Sequence, residues 1–202
     1  MFAVLAGAFL LVNIPRLSTA VLAEQLARSF DATAAELGTL HAAFFYVYAP
    51  LQIVAGVLAD RAGIRWTAAV GTVVMSIGGV LFAVAPLFPA AFAARLLVGL
   101  GGSVVFIATL RFCANWFRPD EFATMSGVTI AIAGLGGIIA TTPLALLVER
   151  TGWQTAMLGL GLIGLVMGVI VAVAARDSPA DAGLPAIEGV PSAETLSLSK
   201  VV

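Results

Sequence analysis

Charge is what this sequence has least of. Lys and Arg number 10 and Asp and Glu 11, so that 10% of the 202 residues are charged, where soluble domains carry roughly 25%. A water-soluble fold of this length could not cover its apolar surface with so few charges, whereas a bilayer requires no such cover. A basic excess is absent too: the formal net charge is −1, so the electrostatic footprint of a nucleic-acid binder is missing and that class is excluded. One cysteine, Cys113, inside an apolar run excludes an intrachain disulfide and a cysteine-based metal cluster. No metal site and no cofactor are expected.

What the chain does have is long apolar runs. Hydrophobic residues make up 61% of it, and the mean hydropathy is +1.09. The runs predict six membrane-spanning helices, at about residues 2–26, 36–59, 67–86, 89–115, 122–148 and 153–175, each near the roughly 20 residues a helix needs to cross the hydrocarbon core. The predicted fold is an all-α integral membrane protein, a six-helix bundle. Short breaks separate the runs, such as Asp60-Arg61-Ala62-Gly63, Pro86-Leu87-Phe88-Pro89 and Thr151-Gly152, and favour sequential antiparallel crossing. After Arg176 the texture turns polar with prolines, and residues 177–202 read as a disordered linker.

Orientation follows from Lys and Arg in short loops. With both termini cytoplasmic, Arg61, Arg65, Arg118 and Arg176 lie inside and Arg28 and Arg150 outside. The expected location is the plasma membrane, the inner membrane of a bacterial cell, spanned several times.

An internal repeat adds symmetry. Leu58-Ala59-Asp60-Arg61-Ala62-Gly63 recurs in register as Leu147-Val148-Glu149-Arg150-Thr151-Gly152. Three helices separate the copies, which places them on opposite membrane faces, as an inverted three-plus-three repeat requires. A plain alternative is that any short helix connection draws an acid, an Arg and a terminating Gly.

The stretch Gly56-Val57-Leu58-Ala59-Asp60-Arg61-Ala62-Gly63-Ile64-Arg65 resembles the signature between helices two and three of the Major Facilitator Superfamily, with Trp66 where that pattern has its last base. Arg95-Leu96-Leu97-Val98-Gly99-Leu100-Gly101 resembles the family's fourth-helix pattern, and Asn115-Trp116-Phe117-Arg118-Pro119-Asp120-Glu121 the loop from helix four to five. The resemblance covers residues 1 to about 185. It implies the N-terminal six-helix half of a transporter, with a small-molecule solute as ligand and a second six-helix bundle as partner, either a C-terminal half or a second copy. It also implies that Gly56, Asp60, Arg61, Gly63 and Arg65 form a cytoplasmic gate, with Glu149, Arg150 and Gly152 as the inverted counterpart.

Arg16 falls near the middle of the first span, where an unpaired charge costs about 2.5–3.5 kcal/mol on insertion scales. It either binds a carboxylate, phosphate or other oxyanion, or pairs with carbonyls freed by Pro15. Arg95 carries the same ambiguity between solute contact and a buried structural or coupling role. Tyr46 and Tyr48 can present hydroxyls to a polar cavity or pack as ordinary aromatics. No Asp or Glu falls clearly mid-span, and His41 reads as an interfacial hydrogen-bonded group or a proton relay. Solute transport, possible for a small organic anion, therefore leads. The alternatives are a truncated or non-transporting assembly protein and, remotely, an intramembrane serine protease built on Ser103 or Ser126 with His41 as base.

Overall fold

A computed structural model describes residues 1–183 and Pro185. It contains eight α-helices among the described residues: α1 (Phe2–Val21), α2 (Ala23–Phe30), α3 (Ala34–Ala62), α4 (Ile64–Ala83), α5 (Phe88–Trp116), α6 (Phe122–Ile139), α7 (Thr142–Thr151) and α8 (Trp153–Ala174). Six segments are long and apolar enough to cross a membrane, namely α1, α3, α4, α5, α6 together with α7, and α8.

Two of the expected spans differ from the observed helices. The first ends at Val21, where Leu22 turns the chain (φ −89°, ψ 4°) into the short helix α2. Glu24 and Arg28 pair across one turn of α2 in solvent, so this helix is amphipathic rather than a continuation of the apolar run. The fifth is interrupted at Ala140 and Thr141, where Thr141 adopts φ −96°, ψ −112°. Pro143 is the cause: its nitrogen cannot donate to the Ile139 carbonyl, and its ring crowds that turn. The chain restarts with Pro143 in the first turn of α7, a position proline suits.

Helix starts elsewhere follow local chemistry. Thr33 and Glu36 form a reciprocal capping box at the head of α3, with Thr33 N donating to Glu36 Oε2 at 2.8 Å. Pro89 occupies the first turn of α5. The α3–α4 and α7–α8 elbows each hinge on one glycine, Gly63 at φ 82°, ψ 162° and Gly152 at φ 81°, ψ 155°. Both lie in a backbone region that side chains rarely adopt, and the near-identity of the two pairs of angles makes the repeated Arg-x-Gly a repeated structure.

Lipid offers no hydrophobic drive for helix association, so small residues and close backbone approach hold such bundles together. α4 lies between α5 and α8 in this way. At Gly101 of α5 an added Cβ would run into the backbone of Gly71 and Met75 on α4. Two apolar cores occupy the two ends of the bundle. One gathers around Phe9, Phe44 and Phe112, the other around Leu26, Phe82 and Trp153. α3 and the α6–α7 segment are the least covered spans, each 22% buried against 56% for α4 and α5.

The beginning of the segment expected to be a linker carries defined contacts. Asp177 accepts a hydrogen bond from Arg65 N, and Ala180–Ala182 form a single 3-10 turn with Ser178 and Asp181 bonded to each other at its head. Residue 184 and residues 186–202 of that expectation lie outside the described residues.

Candidate functional site

In the C-terminal half of α1, Pro15 withholds a hydrogen bond from the Leu11 carbonyl, and the carbonyls of Pro15 and Arg16 themselves attract side-chain donors. Pro15 O accepts from Ser18 Oγ at 2.9 Å and from Arg95 Nη1 of α5 at 2.5 Å. Arg95 Nη2 reaches the Arg16 carbonyl at 3.5 Å. Only 1% of Arg95 is exposed, and its guanidinium lies over the rings of Phe44 (5.8 Å) and Phe82 (5.9 Å). Carbonyl dipoles and aromatic faces thus stand in for a counter-ion. The cavity beside it, lined by Pro15, Ser18, Ser76, Phe82 and Met157 among others, measures about 20 Å³, room for a single water and too little for an organic solute.

The spacing of Arg95, Gly99 and Gly101 has a geometric reason. Gly99 lies one turn beyond Arg95 and lets α5 press onto α3, since an added Cβ would overlap the Phe44 carbonyl. Two residues on, Gly101 faces α4 instead. The pattern therefore seats one helix against two neighbours while burying an arginine between them.

Arg16 sits differently. It is half-buried, with Nη1 3.4 Å from Asn13 Oδ1, and its guanidinium lies 5.3 Å from the centre of the Phe45 ring. Its Nε is buried without a hydrogen-bond partner, and among the described residues no carboxylate bridges to it. Tyr48 is half-buried, stacks on Phe44 at 4.9 Å, and lies within reach of the Arg16 charge. Tyr46 points elsewhere on α3 and is 59% exposed. The two tyrosines, close in sequence, part in space because two positions along a helix differ by about 200° in direction. His41 joins the cluster, with Nδ1 2.7 Å from Thr19 Oγ1 of α1.

The residues of the α3–α4 elbow motif gather at the other end. Asp60 pairs with Arg111 of α5 at 2.6 Å. Arg65 donates through Nε to the Ala172 carbonyl at 2.6 Å and stacks on Trp66 at 5.0 Å. Its backbone N–H donates to Asp177 Oδ1 at 2.7 Å, so the Asp177 carboxylate occupies the N-terminus of α4. An added Cβ at Gly63 would lie 2.7 Å from that carboxylate, a second reason for glycine there. Gly56 has open space where its side chain would be, and Arg61 is exposed. Glu149 and Arg150 are exposed at the opposite elbow.

Among the described residues neither candidate serine meets a base: Ser103 Oγ donates to the Leu100 carbonyl, Ser126 Oγ is buried without a hydrogen-bond partner, and His41 is engaged with Thr19. Nor do three His, Cys, Asp or Glu side chains cluster to hold a metal among the described residues.

Compared with known proteins, residues 1–201 match the model of the Major Facilitator Superfamily. The uncharacterized transporter YybO of Bacillus subtilis is 29% identical over 82% of this chain and 38% of its own length. A protein named "Probable sulfoacetate transporter SauU" from Cupriavidus necator is 28% identical over 85% of this chain and 40% of its own. The hexuronate transporter of Bacillus subtilis is 28% identical over 68% and 33%. The chain spans about two fifths or less of the length of these curated relatives. Among solved structures, a bacterial homolog of the human lysosomal transporter Spinster, inward-facing and unoccupied, superposes with a TM-score of 0.80 at 18% identity, over 88% of this chain and 43% of that one.

Proposed function

From the premise that this chain belongs to the Major Facilitator Superfamily, we propose that it is the N-terminal bundle of an alternating-access transporter for a small organic anion, and that Arg16 is the anion contact. One observation carries the substrate class. Arg16 is a half-buried guanidinium inside a membrane span with no carboxylate partner among the described residues and with Nε unbonded. A charge in that position is stable only with a compensating group, and an oxyanion supplies one through bidentate hydrogen bonds. The names of two relatives, which mention sulfoacetate and hexuronate, agree with this class. Arg95 is a positioning residue: by clasping the Pro15 and Arg16 carbonyls it fixes the turn of α1 from which Arg16 projects.

A second six-helix bundle completes the site. α3 and α6 carry uncovered apolar side chains such as Ile53 (81% exposed) and Ile138 (63%). Gly56, Gly127 and Gly134 on the same helices have nothing near their missing side chains, as suits helices on which another bundle rests closely. Loop arginines support cytoplasmic termini and a location in the plasma membrane, and Asp60, Arg61 and Arg65 with Arg111 then form the cytoplasmic gate.

The test is uptake of sulfoacetate and glucuronate, a sulfonate and a carboxylate, by the full-length protein in liposomes. Arg16→Ala is expected to reduce uptake at least tenfold. Unchanged uptake and affinity would remove Arg16 as the contact.

A further inference from the structure

The cluster at Arg16 holds a group that anion binding alone leaves unused. His41, one turn before Phe45 on α3, bonds Thr19 through Nδ1; in the tautomer that donates Nδ1–H to Thr19 Oγ1, Nε2 is the ring nitrogen that takes a proton. His41 and Arg16 share one aromatic neighbour: the His41 ring centre lies 5.9 Å from that of Phe45, and the Arg16 guanidinium carbon 5.3 Å from the same point. The charged groups that face His41 are Arg95 of α5 and Arg16 of α1, both cations. Along its own helix, Glu36 is committed to the capping box with Thr33, and Tyr48 stacks on Phe44. On α2, Glu24 and Arg28 pair with each other. A proton on His41 would be the third positive charge of this cluster, and the nearby acids are engaged elsewhere.

We propose that His41 is the proton-coupling group of the anion site, protonated at Nε2 when an anion binds beside Arg16 and deprotonated when the anion leaves. The inference rests on the anion reading above. An anion removes the repulsion that opposes the third positive charge, and by reciprocity the proton strengthens anion binding by the same factor. One proton is taken from water on the side where the anion enters and returned to water where it leaves, so the anion moves with a proton. No other co-reactant is involved. The Thr19 bond links the proton site to α1 close to Arg16, so charge at one place is felt at the other.

The experiment uses sulfoacetate and glucuronate with the full-length protein in liposomes. Both remain ionised above about pH 6, so any dependence of binding on pH between about 6 and 8 belongs to the protein. In the wild type, binding should weaken up to about tenfold per pH unit above the His41 midpoint, and an inward proton gradient should drive uptake. His41→Asn retains an amide able to reach Thr19 and takes no proton. Its binding should be flat with pH and its uptake indifferent to the gradient, while its thermal midpoint stays near that of the wild type. A His41→Asn protein that keeps the wild-type pH slope overturns the coupling role and leaves Arg16 standing. A folded wild type that binds neither anion at any pH overturns both.

Discussion

The carboxylate of Asp60 on α3 accepts from Arg111 Nη2 of α5 at 2.6 Å, which ties the start of the α3–α4 elbow to a helix that lies far from it in sequence. Both side chains are about half exposed, at 52% and 46%, so the pair contributes at most about 1 kcal/mol to stability. In the gate proposed above, its value lies in holding one arrangement. Asp60→Asn is therefore expected to shift the thermal midpoint by less than about 4 °C and yet lower uptake several-fold. Melting curves and initial uptake rates on the same preparation separate the two effects.

Arg95→Ala should be costly in a different way. It removes a charged hydrogen bond to Pro15 O, which is worth about 1.5–3 kcal/mol, and leaves a void between α1 and α5. Arg95→Lys keeps the charge but has one ammonium where the guanidinium reaches two carbonyls, so it should recover only part of the loss. Thermal unfolding in detergent is expected to order the proteins wild type, Lys, Ala.

The glycines of α5 and α6 should divide by what they face. Gly99→Ala and Gly101→Ala drive a methyl group into neighbouring backbone, which cannot yield as a side chain can, at a cost of about 1–3 kcal/mol or more. Gly127→Ala and Gly134→Ala meet open space within this bundle and should leave its melting point unchanged. If a second bundle seats on α6, those two substitutions should weaken transport instead, and uptake assays read that directly.

The helix-end contact made by Asp177 has its own signature. Asp177→Ala frees the N-terminus of α4, a loss of about 0.5–2 kcal/mol for a cap of this kind, and removes the tie to Arg65 N, leaving only the bond from Asn115 to the main-chain carbonyl of residue 177. Faster proteolysis after Arg176 is the expected outcome. Gly63→Ala should mimic it, because its methyl group would displace the same carboxylate.

The six spans were legible because apolar runs of helix length have one interpretation in a chain with so little charge. Their interruptions were less so. Pro143 does announce the break before α7, since its i−4 partner must go unbonded, but the turn at Leu22 has no proline or glycine to mark it. The elbow motif was readable as a pattern, and Gly63 as the residue that ends its helix was expected from the type of residue alone. What could not be read were pairings between distant segments: Arg111 with Asp60, Asp177 with the head of α4, and Arg95 with the carbonyls of Pro15 and Arg16. These depend on which faces of α1, α3, α5 and α8 meet, and nearly uniform apolarity around each helix leaves no stripe from which to deduce it.

Gly63 and Gly152 give both elbows almost one backbone shape, yet the shape receives quite different company at its two sites. Around Gly63 stand Asp177, Arg65 and the Asp60–Arg111 pair, while Glu149 and Arg150 beside Gly152 stand open to their surroundings. The main chain is thus indifferent to up and down, and the distinction between the two sides of the membrane is written in side chains alone. Few substitutions would be needed to furnish the second elbow like the first. If these side chains work as the proposed gate, a gate that could be moved from one face of a bilayer to the other without redrawing the fold is a modular part, open to evolution and to the bench alike.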